Sequence, residues 1–396
     1  MIDRADGSHP AEIFSAFLTL GLTSFGGPVA HLGYFRLEFV ARRKWLSEES
    51  YADLVALCQF LPGPASSQVG IAIGLLRGGY FGALAAWTAF TLPSAIALVL
   101  FAYGLAVFEN GLGGGWVHGL KVAAVAVVAL AILGMARTLT PDRIRASLAI
   151  GAMTVALVLP SAWGQIAGIV LGGIVGWFCI KRAPPADQAV LRLPVGRGVG
   201  VAMLVACAVL LIGLPLAAAM SGNVSLKLFD IFYRVGSLVF GGGHVVLPLL
   251  KAEVVPALVS GDAFLAGYGA AQAVPGPLFT FAAYLGAMMG GWSIAVLCLV
   301  AIFLPSFLLV IGVLPFWDAL RRQAAAQAVL AGVNAAVVGL LLAAFYDPVW
   351  TTGITSGYDH ALALGAFVLL LVWKLPPWLV VVLCAVAGQV MLPAAV

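Results

Sequence analysis

The sequence predicts an all-α polytopic integral membrane protein made of two inverted-topology repeats with broken, re-entrant helices. Hydrophobic residues make up 63% of the 396-residue chain and charged residues only 9%, which exceeds what a soluble domain needs. The apolar runs are continuous rather than alternating, so helices are favoured over membrane-spanning strands. A set of Gly- and Pro-rich motifs occurs twice along the chain, and this repetition indicates two related halves.

Thirteen apolar segments are predicted as helices, six in each half and one unpaired between them. In order they span 11–33, 51–76, 80–105, 116–137, 144–159, 163–180, 199–219, 228–250, 263–288, 292–315, 325–346, 360–373 and 377–394. The stretch 181–198 is the longest polar connector. The predicted domains are therefore a first transporter repeat over 1–180, a linker over 181–226 that contains the unpaired helix 199–219, and a second, inverted repeat over 227–396.

The repeated motifs are helix breakers inside apolar segments. The first half reads FGGP at 25–28, QFLPGP at 59–64 and LPS at 92–94. The second half reads FGGG at 240–243, QAVPGP at 272–277 and LPS at 304–306. Proline removes a backbone donor and glycine permits positive φ, so such clusters are expected to interrupt helices. Breaks at matching depth in two halves indicate the substrate site of a transporter.

The distribution of Lys and Arg predicts that the halves have opposite orientations. First-half loops carry basic clusters at 36–44 and 137–145, whereas in the second half Arg321, Arg322 and Lys374 lie in loops whose counterparts lack basic residues. The positive-inside rule then places the N-terminus in the cytoplasm and the C-terminus outside. Segments 11–33 and 51–76 would be hairpins entering from the cytoplasmic side, 228–250 and 263–288 hairpins from the other side, and the other nine segments would cross fully. The alternative that the four broken segments also cross the membrane fully stays open. Lys227, Arg234 and Lys251 are exceptions to this topology.

The breaks predict a shared anion site. Pro28, Pro64 and Pro277 are expected at the first position of half-helices that begin in mid-membrane, where free N–H groups attract an anion. Each helix dipole contributes about 0.3–2 kcal/mol, so several must converge to hold a dianion. The predicted substrate-binding residues are Gly26, Gly27, Pro28, Gln59, Pro62, Gly63, Pro64, Ser66, Ser67, Gly241, Gly242, Gly243, Gln272, Pro275, Gly276, Pro277 and Thr280.

Two interpretations of the polar residues beside the breaks stay open. The hydroxyls of Ser66, Ser67 and Thr280 are suited to donate to tetrahedral oxygens, as are the amides of Gln59, Gln68 and Gln272. Alternatively, the hydroxyls cap the half-helices and the glutamines bind freed carbonyls. Sequence alone does not choose between these roles.

Four further residues are candidates for a charge or proton role, namely His31, Arg77, Lys121 and His244. Lys121 near one end of its segment is expected to extend its amine to the interface, and each histidine is expected to make a structural hydrogen bond. Asp53 and Glu253 are interpreted as interfacial. The five cysteines show no metal-ligand spacing, and no cofactor, metal or catalytic residue is expected.

The motif FGGP, the stretch RKWLSEESYADLVALCQFLPGP and the second copy with VPGP together resemble the chromate ion transporter family, in its long two-domain form. The resemblance implies export of chromate, a tetrahedral dianion similar to sulfate, and bacterial chromate resistance. The residues by themselves predict only an anion with oxygen acceptors.

The predicted function is that of a secondary transporter which works by alternating access in the bacterial cytoplasmic (inner) membrane, with the oxyanion and the lipid bilayer as its partners. A sulfate or other oxyanion transporter of the same fold and an anion channel are the alternatives. An enzyme is disfavoured because no hydrolase or metalloprotease motif is present. A net charge of +4 does not indicate nucleic-acid binding, the N-terminus does not read as a removable signal peptide, and the oligomeric state, a homodimer included, is left open.

Overall fold

The computed structural model describes residues 10–112, 114–181 and 195–391, so most of the linker predicted at 181–198 lies outside the described residues. Within these ranges the chain is helical and contains no strand. Six helical segments are long and apolar enough to cross a membrane, beginning at Ala65, Gly115, Ala162, Arg197, Leu278 and Ala324. The predicted all-α polytopic membrane fold is thereby confirmed.

The helices follow the predicted segments closely. They are α1 (Pro10–Thr23), α2 (Gly27–Phe35), α3 (Glu48–Phe60), α4 (Ala65–Leu112), α5 (Gly115–Leu139), α6 (Arg143–Val158), α7 (Ala162–Cys179), α8 (Arg197–Ser221), α9 (Val224–Leu238), α10 (Val246–Val254), α11 (Gly261–Ala273), α12 (Phe281–Val313), α13 (Trp317–Arg321), α14 (Ala324–Ala344), α15 (Thr351–Gly353), α16 (Gly357–Leu371) and α17 (Pro377–Met391). Four interruptions separate short helices, and we call them the first break (24–26), the second break (61–64), the third break (239–242) and the fourth break (274–277).

The first break is the tip of a helical hairpin. At the far end of the hairpin, Arg43 lies 3.2 Å from Glu12, and nearer the tip the rings of Phe17 and Phe35 are 5.6 Å apart. At the tip itself, His31 reaches back to the carbonyl of Ser24. These contacts show that α1 and α2 lie antiparallel. The third break has the same form, because Arg234 of α9 pairs with Glu253 of α10 at 2.8 Å.

The second break is also a hairpin tip. The guanidinium of Arg77 lies 5.2 Å from the ring of Trp45, which brings the end of the first part of α4 beside the start of α3. A kink at Gly78 and Gly79 then turns the chain again, and Gly74 packs directly against Gly82 across it. In the second half α12 has the same kink at 290–291.

The LPS motifs do not interrupt helices, contrary to the expectation for clustered breakers. Pro93 lies inside α4 and Pro305 inside α12. Proline leaves the carbonyl four residues earlier without its helical donor. For Pro93 this carbonyl belongs to Ala89, and Gly21 of α1 packs against it so closely that a side chain at position 21 would lie 2.7 Å away. The close packing of α1 therefore covers the defect and the helix continues.

The two halves exchange packing partners. From the first half, α5 packs against α11, α16 and α17 of the second, and from the second half α14 packs against α6 and α7 of the first. Backbones meet at glycines in both places, with Gly119 against Cys384 and Gly332 against Gly172. Small residues allow such close approach between membrane helices, where burial of apolar surface gives little driving force. The halves therefore form one interlocked bundle.

Two of the three cations that depart from the predicted topology, Arg234 and Lys251, are ion-paired. Arg234 contacts both Asp230 and Glu253, and Lys251 lies 2.6 Å from Asp347. In the predicted topology, this pairing would reduce the cost of placing the two cations on the side that the positive-inside rule disfavours. Asp53, which was interpreted as interfacial, is buried within the protein at 2% exposure, and its depth in the membrane stays a prediction.

Candidate functional site

The four breaks meet through reciprocal hydrogen bonds between the halves. The N–H of Gly63 in the second break donates to the carbonyl of Val239 in the third break over 2.6 Å. The N–H of Gly276 in the fourth break donates to the carbonyl of Ser24 in the first break over 3.0 Å. Each Pro-Gly-Pro tip therefore docks on the Gly-rich tip of the opposite half, a pairing that the sequence does not reveal.

The first and third breaks also touch. A side chain built at Gly243, just after the third break, would lie 3.6 Å from the ring of Pro28 and 3.6 Å from Leu278. Residues from three of the half-helix starts thus surround one point. The geometry brings the breaks together as expected, and their role as a substrate site stays a prediction.

Two glycines at the tips require positive φ and also lack room for a side chain. Gly63 has φ +121° and Gly276 has φ +101°. A methyl group at Gly63 would lie 2.9 Å from the hydroxyl of Ser306, and one at Gly276 would lie 2.8 Å from the hydroxyl of Ser94. The serines of the two LPS motifs thus face the Pro-Gly-Pro tips of the opposite halves.

The prolines occupy slightly different positions from those expected. Pro28 lies in the first turn of α2 as predicted. Pro64 and Pro277 precede their helical turns by one residue, and the carbonyl of Pro64 accepts the N–H of Gln68 over 2.9 Å. A residue whose carbonyl takes the first helical hydrogen bond is the N-cap. Neither Gly26 nor Pro277 supplies a capping side chain, so N–H groups of the first turns keep their capacity to donate.

Several buried polar atoms near the breaks lack a hydrogen-bond partner among the described residues. They are the hydroxyls of Ser24, Ser67, Thr91 and Ser306, the Oε1 of Gln68 and the Nε2 of Gln272. A buried polar atom without a partner costs about 1–3 kcal/mol. Their concentration in or beside the breaks and the LPS motifs indicates that this region is built to bind water or a polar ligand.

Two of the polar residues, Thr280 and Gln68, hydrogen-bond to backbone carbonyls of the breaks, which is the structural role considered as an alternative to anion binding. Thr280 donates its hydroxyl to the carbonyl of Pro277 over 2.8 Å, and Gln68 donates its amide to the carbonyl of Pro62 over 2.6 Å. Gln59 is exposed, whereas its counterpart Gln272 is half-buried with an unpartnered Nε2. The two glutamines are therefore not equivalent.

His31 is the titratable group closest to the first break. Its Nε2 lies 3.2 Å from the carbonyl of Ser24, so this nitrogen carries the proton and donates. Its Nδ1 lies 3.3 Å from the hydroxyl of Ser66, which then donates to it when the ring is neutral. The structural hydrogen bond expected for His31 is present, and His244 makes one to the hydroxyl of Tyr268 at 2.7 Å.

The remaining charged candidates lie away from the breaks. Arg77 packs on Trp45 at the open end of its hairpin. The amine of Lys121 lies 2.6 Å from a carboxylate oxygen of Asp262, so the lysine pairs with the second half rather than extending alone to the interface. At the opposite end of the bundle, buried Asp53 accepts hydrogen bonds from Arg321 and Trp317, each at 2.9 Å. Both ion pairs join a broken-helix hairpin to the other half.

Sequence reasoning missed four polar residues at this site, namely Ser24, Thr91, Ser94 and Ser306. The repeated LPS motif contained the available signal, because its serine recurs in both halves at matching positions. The described residues contain no cluster of His, Cys, Asp or Glu that could hold a metal ion.

Comparison with known proteins gives consistent matches over nearly the whole chain. A family model described as Chromate transporter matches residues 11–177 and 226–389, and the unmatched stretch between them contains α8. A chromate transport protein of Pseudomonas aeruginosa is 28% identical over 400 residues, covering 98% of this chain and 93% of the relative. A probable chromate transport protein of Synechococcus elongatus is 25% identical, with 96% of both chains covered. An uncharacterized transporter of Bacillus subtilis is 29% identical over 134 residues, which make up 34% of this chain and 74% of the relative. No solved structure matches the chain.

Proposed function

The chain belongs to the chromate transporter family, and on this premise we propose that it is a secondary transporter that exports chromate across the bacterial cytoplasmic membrane and thereby confers chromate resistance. The observation that carries the proposal is the reciprocal docking of Gly63 on Val239 and of Gly276 on Ser24. This docking gathers four helix breaks from two halves at one place, as transporters do at their substrate sites.

The chemistry of the gathered groups suits a tetrahedral oxyanion. The buried hydroxyls of Ser24, Ser67 and Ser306 and the Nε2 of Gln272 can donate, and the N–H groups of the half-helix starts add further donors. A hydrogen bond to a charged group contributes about 1.5–3 kcal/mol net of the lost bond to water, so several such donors together favour binding of a dianion. Sulfate has the same shape and charge, and we expect it to compete.

Alternating access is supported by ion pairs at both ends of the bundle. One end is closed by Asp53 and Arg321, and the other by Lys121 and Asp262. Each pair links a hairpin of one half to a helix of the other. We propose that the pairs open in turn while the breaks hold the anion between them.

The proposed topology has a direct test. The first two hairpins would enter from the cytoplasmic face and the last two from the opposite face. Single cysteines replacing Arg77 and Met289, in a background without other reactive thiols, should react with a membrane-impermeant maleimide from opposite faces. Labelling of both positions from the same face would contradict the inverted arrangement.

The direction of transport follows from charge. With the cytoplasm negative, moving a dianion outward gains about 4.6 kcal/mol per 100 mV, at roughly 2.3 kcal/mol for each charge. This energy is sufficient to drive export without ATP hydrolysis.

Uptake of chromate into everted membrane vesicles tests the function. Expression of the protein should produce saturable uptake that an inside-positive potential accelerates and that excess sulfate inhibits. Preloading the vesicles with unlabelled chromate should stimulate uptake of labelled chromate. The reason is that a carrier can return to its outward-facing side of the vesicle with unlabelled chromate bound instead of empty. Uptake without such stimulation would indicate a channel, and the absence of uptake would refute the proposed function.

A further inference from the structure

A groove on the surface of the bundle lies between α6 and α7, away from the four breaks. Its volume is about 490 Å³, within the range of about 300–1,000 Å³ typical of small-molecule sites. It runs from Arg143, the first residue of α6, to Val155 near the end of that helix. Its lining residues all belong to α6 and α7, among them Gly168 and Leu171 of α7.

The groove has the length and lining of an acyl-chain site. Its rim is formed by exposed apolar side chains, among them Ile144 at 45% and Leu171 at 50% exposure. Gly151 widens the middle, because a side chain there would meet no atom within 4 Å. The distance from Arg143 to Val155 along α6 is roughly 18 Å at about 1.5 Å per residue. Half the hydrocarbon thickness of a bilayer is about 15 Å, so the groove spans one leaflet.

Arg143 supplies a positive charge at one end of the groove. It is exposed and makes no hydrogen bond or ion pair with any residue that the structure describes. Its neighbour Arg145 is occupied, because it binds Asp142 at 2.7 Å. Hydrogen bonds from the N–H and the side chain of Arg145 lower the pKa of Asp142, so this pair stays ionised.

A free cation at this position is unfavourable to the helix that carries it. The N-terminus of a helix is the positive end of its dipole, where an arginine is disfavoured. A guanidinium at the membrane surface binds phosphate through two parallel hydrogen bonds, which a phospholipid headgroup supplies. Basic positions between membrane helices are known sites for anionic headgroups.

We propose that the groove between α6 and α7 binds one anionic phospholipid, with its phosphate at Arg143 and one acyl chain extending past Gly151. A helix of a second protein chain would fill the apolar part but would leave the guanidinium without an anion. An anionic phospholipid supplies both a phosphate for the guanidinium and an acyl chain for the apolar part of the groove. The proposal does not depend on which ion the protein transports.

The test measures lipid retention by the purified full-length protein. The protein is reconstituted in nanodiscs or mixed micelles of phosphatidylcholine with a few per cent phosphatidylglycerol, and bound lipid is counted by native mass spectrometry. Arg143→Gln should weaken phosphatidylglycerol binding about fivefold, since one surface cation contributes about that factor. Gly151→Phe should abolish retention of the lipid, because a Cβ at this position points into open space and the ring beyond it would occupy the groove.

Matched controls separate the groove from general effects. Arg197→Gln removes an exposed arginine at the first position of α8, and Gly134→Phe adds a ring at an open glycine of α5. Both should retain lipid as the wild type does. The proposal would be overturned if Gly151→Phe retained as much lipid as the wild type. It would also be overturned if Arg143→Gln bound phosphatidylglycerol as strongly as the wild type does and no more strongly than phosphatidylcholine. Conversion of dimers to monomers by Gly151→Phe would identify the groove as a protein interface and would also overturn it.

Discussion

The contact between the second and third breaks predicts a severe effect from the smallest possible side chain at Gly63. The backbone there has φ +121°, and a methyl group would lie 2.5 Å from Nε2 of Gln68 and 2.9 Å from the hydroxyl of Ser306. Strained backbone costs about 1–3 kcal/mol and overpacking of a filled site about 1–3 kcal/mol more. Gly63→Ala should therefore destabilise the docked arrangement by about 2–6 kcal/mol.

A second glycine isolates the contact from the backbone strain. Gly79 at the kink of α4 has φ +61°, but a methyl group there would meet no atom within 4 Å. Gly79→Ala should therefore show only the strain of about 1–3 kcal/mol. Chromate uptake into everted vesicles, normalised to the amount of inserted protein, compares the two variants directly. Uptake by Gly63→Ala should be about tenfold or more below that of Gly79→Ala, since 1.4 kcal/mol corresponds to a factor of ten.

Two results would refute this reasoning. Wild-type uptake by Gly63→Ala would mean that the second break does not need to dock on the third. Equal losses in Gly63→Ala and Gly79→Ala would mean that backbone strain alone, and not the contact with Ser306 and Gln68, sets the effect.

The other crossing and the ion pairs give further predictions. Gly276→Ala should reduce uptake because its methyl group would lie 2.8 Å from the hydroxyl of Ser94, and adding Ser94→Ala should restore part of it; no recovery in the double variant would argue against a steric cause. Asp53→Asn should lower the free energy of unfolding by about 3–5 kcal/mol, because it breaks a buried ion pair. Asp262→Asn should cost less than about 1 kcal/mol, because the Asp262 side chain is 70% exposed. Thermal unfolding in detergent measures both, and equal shifts would contradict this assignment of burial.

The positions of the helices and of the four breaks were predictable because they depend on local chemistry. Proline and glycine act on the backbone within one turn, so FGGP and PGP mark interruptions without reference to the rest of the fold. The same rule failed for Pro93 and Pro305. There the outcome depends on packing by a distant helix, through Gly21 against the carbonyl of Ala89 in the case of Pro93.

The pairing of the breaks was not predictable from one sequence. Gly63 and Val239 lie far apart along the chain, and nothing local states that the second break docks on the third. The same holds for the ion pair of Asp53, because nothing in the sequence around this residue indicates Arg321 as its partner. The duplicated motifs indicated which residues form the breaks, but only the fold shows that each break hydrogen-bonds to a break of the other half.

Binding of radiolabelled chromate to the purified protein tests the central claim most directly. Ser306→Ala should weaken binding about tenfold or more, since a hydrogen bond to a charged group contributes about 1.5–3 kcal/mol. Ser94→Ala should have a smaller effect, because the single proton of that hydroxyl is already donated to the carbonyl of Thr91 over 3.0 Å. Ser237→Ala, which removes a buried hydroxyl bonded within its own helix, is the control and should bind as the wild type does. Wild-type affinity in both Ser94→Ala and Ser306→Ala would show that the anion does not bind where the four breaks meet.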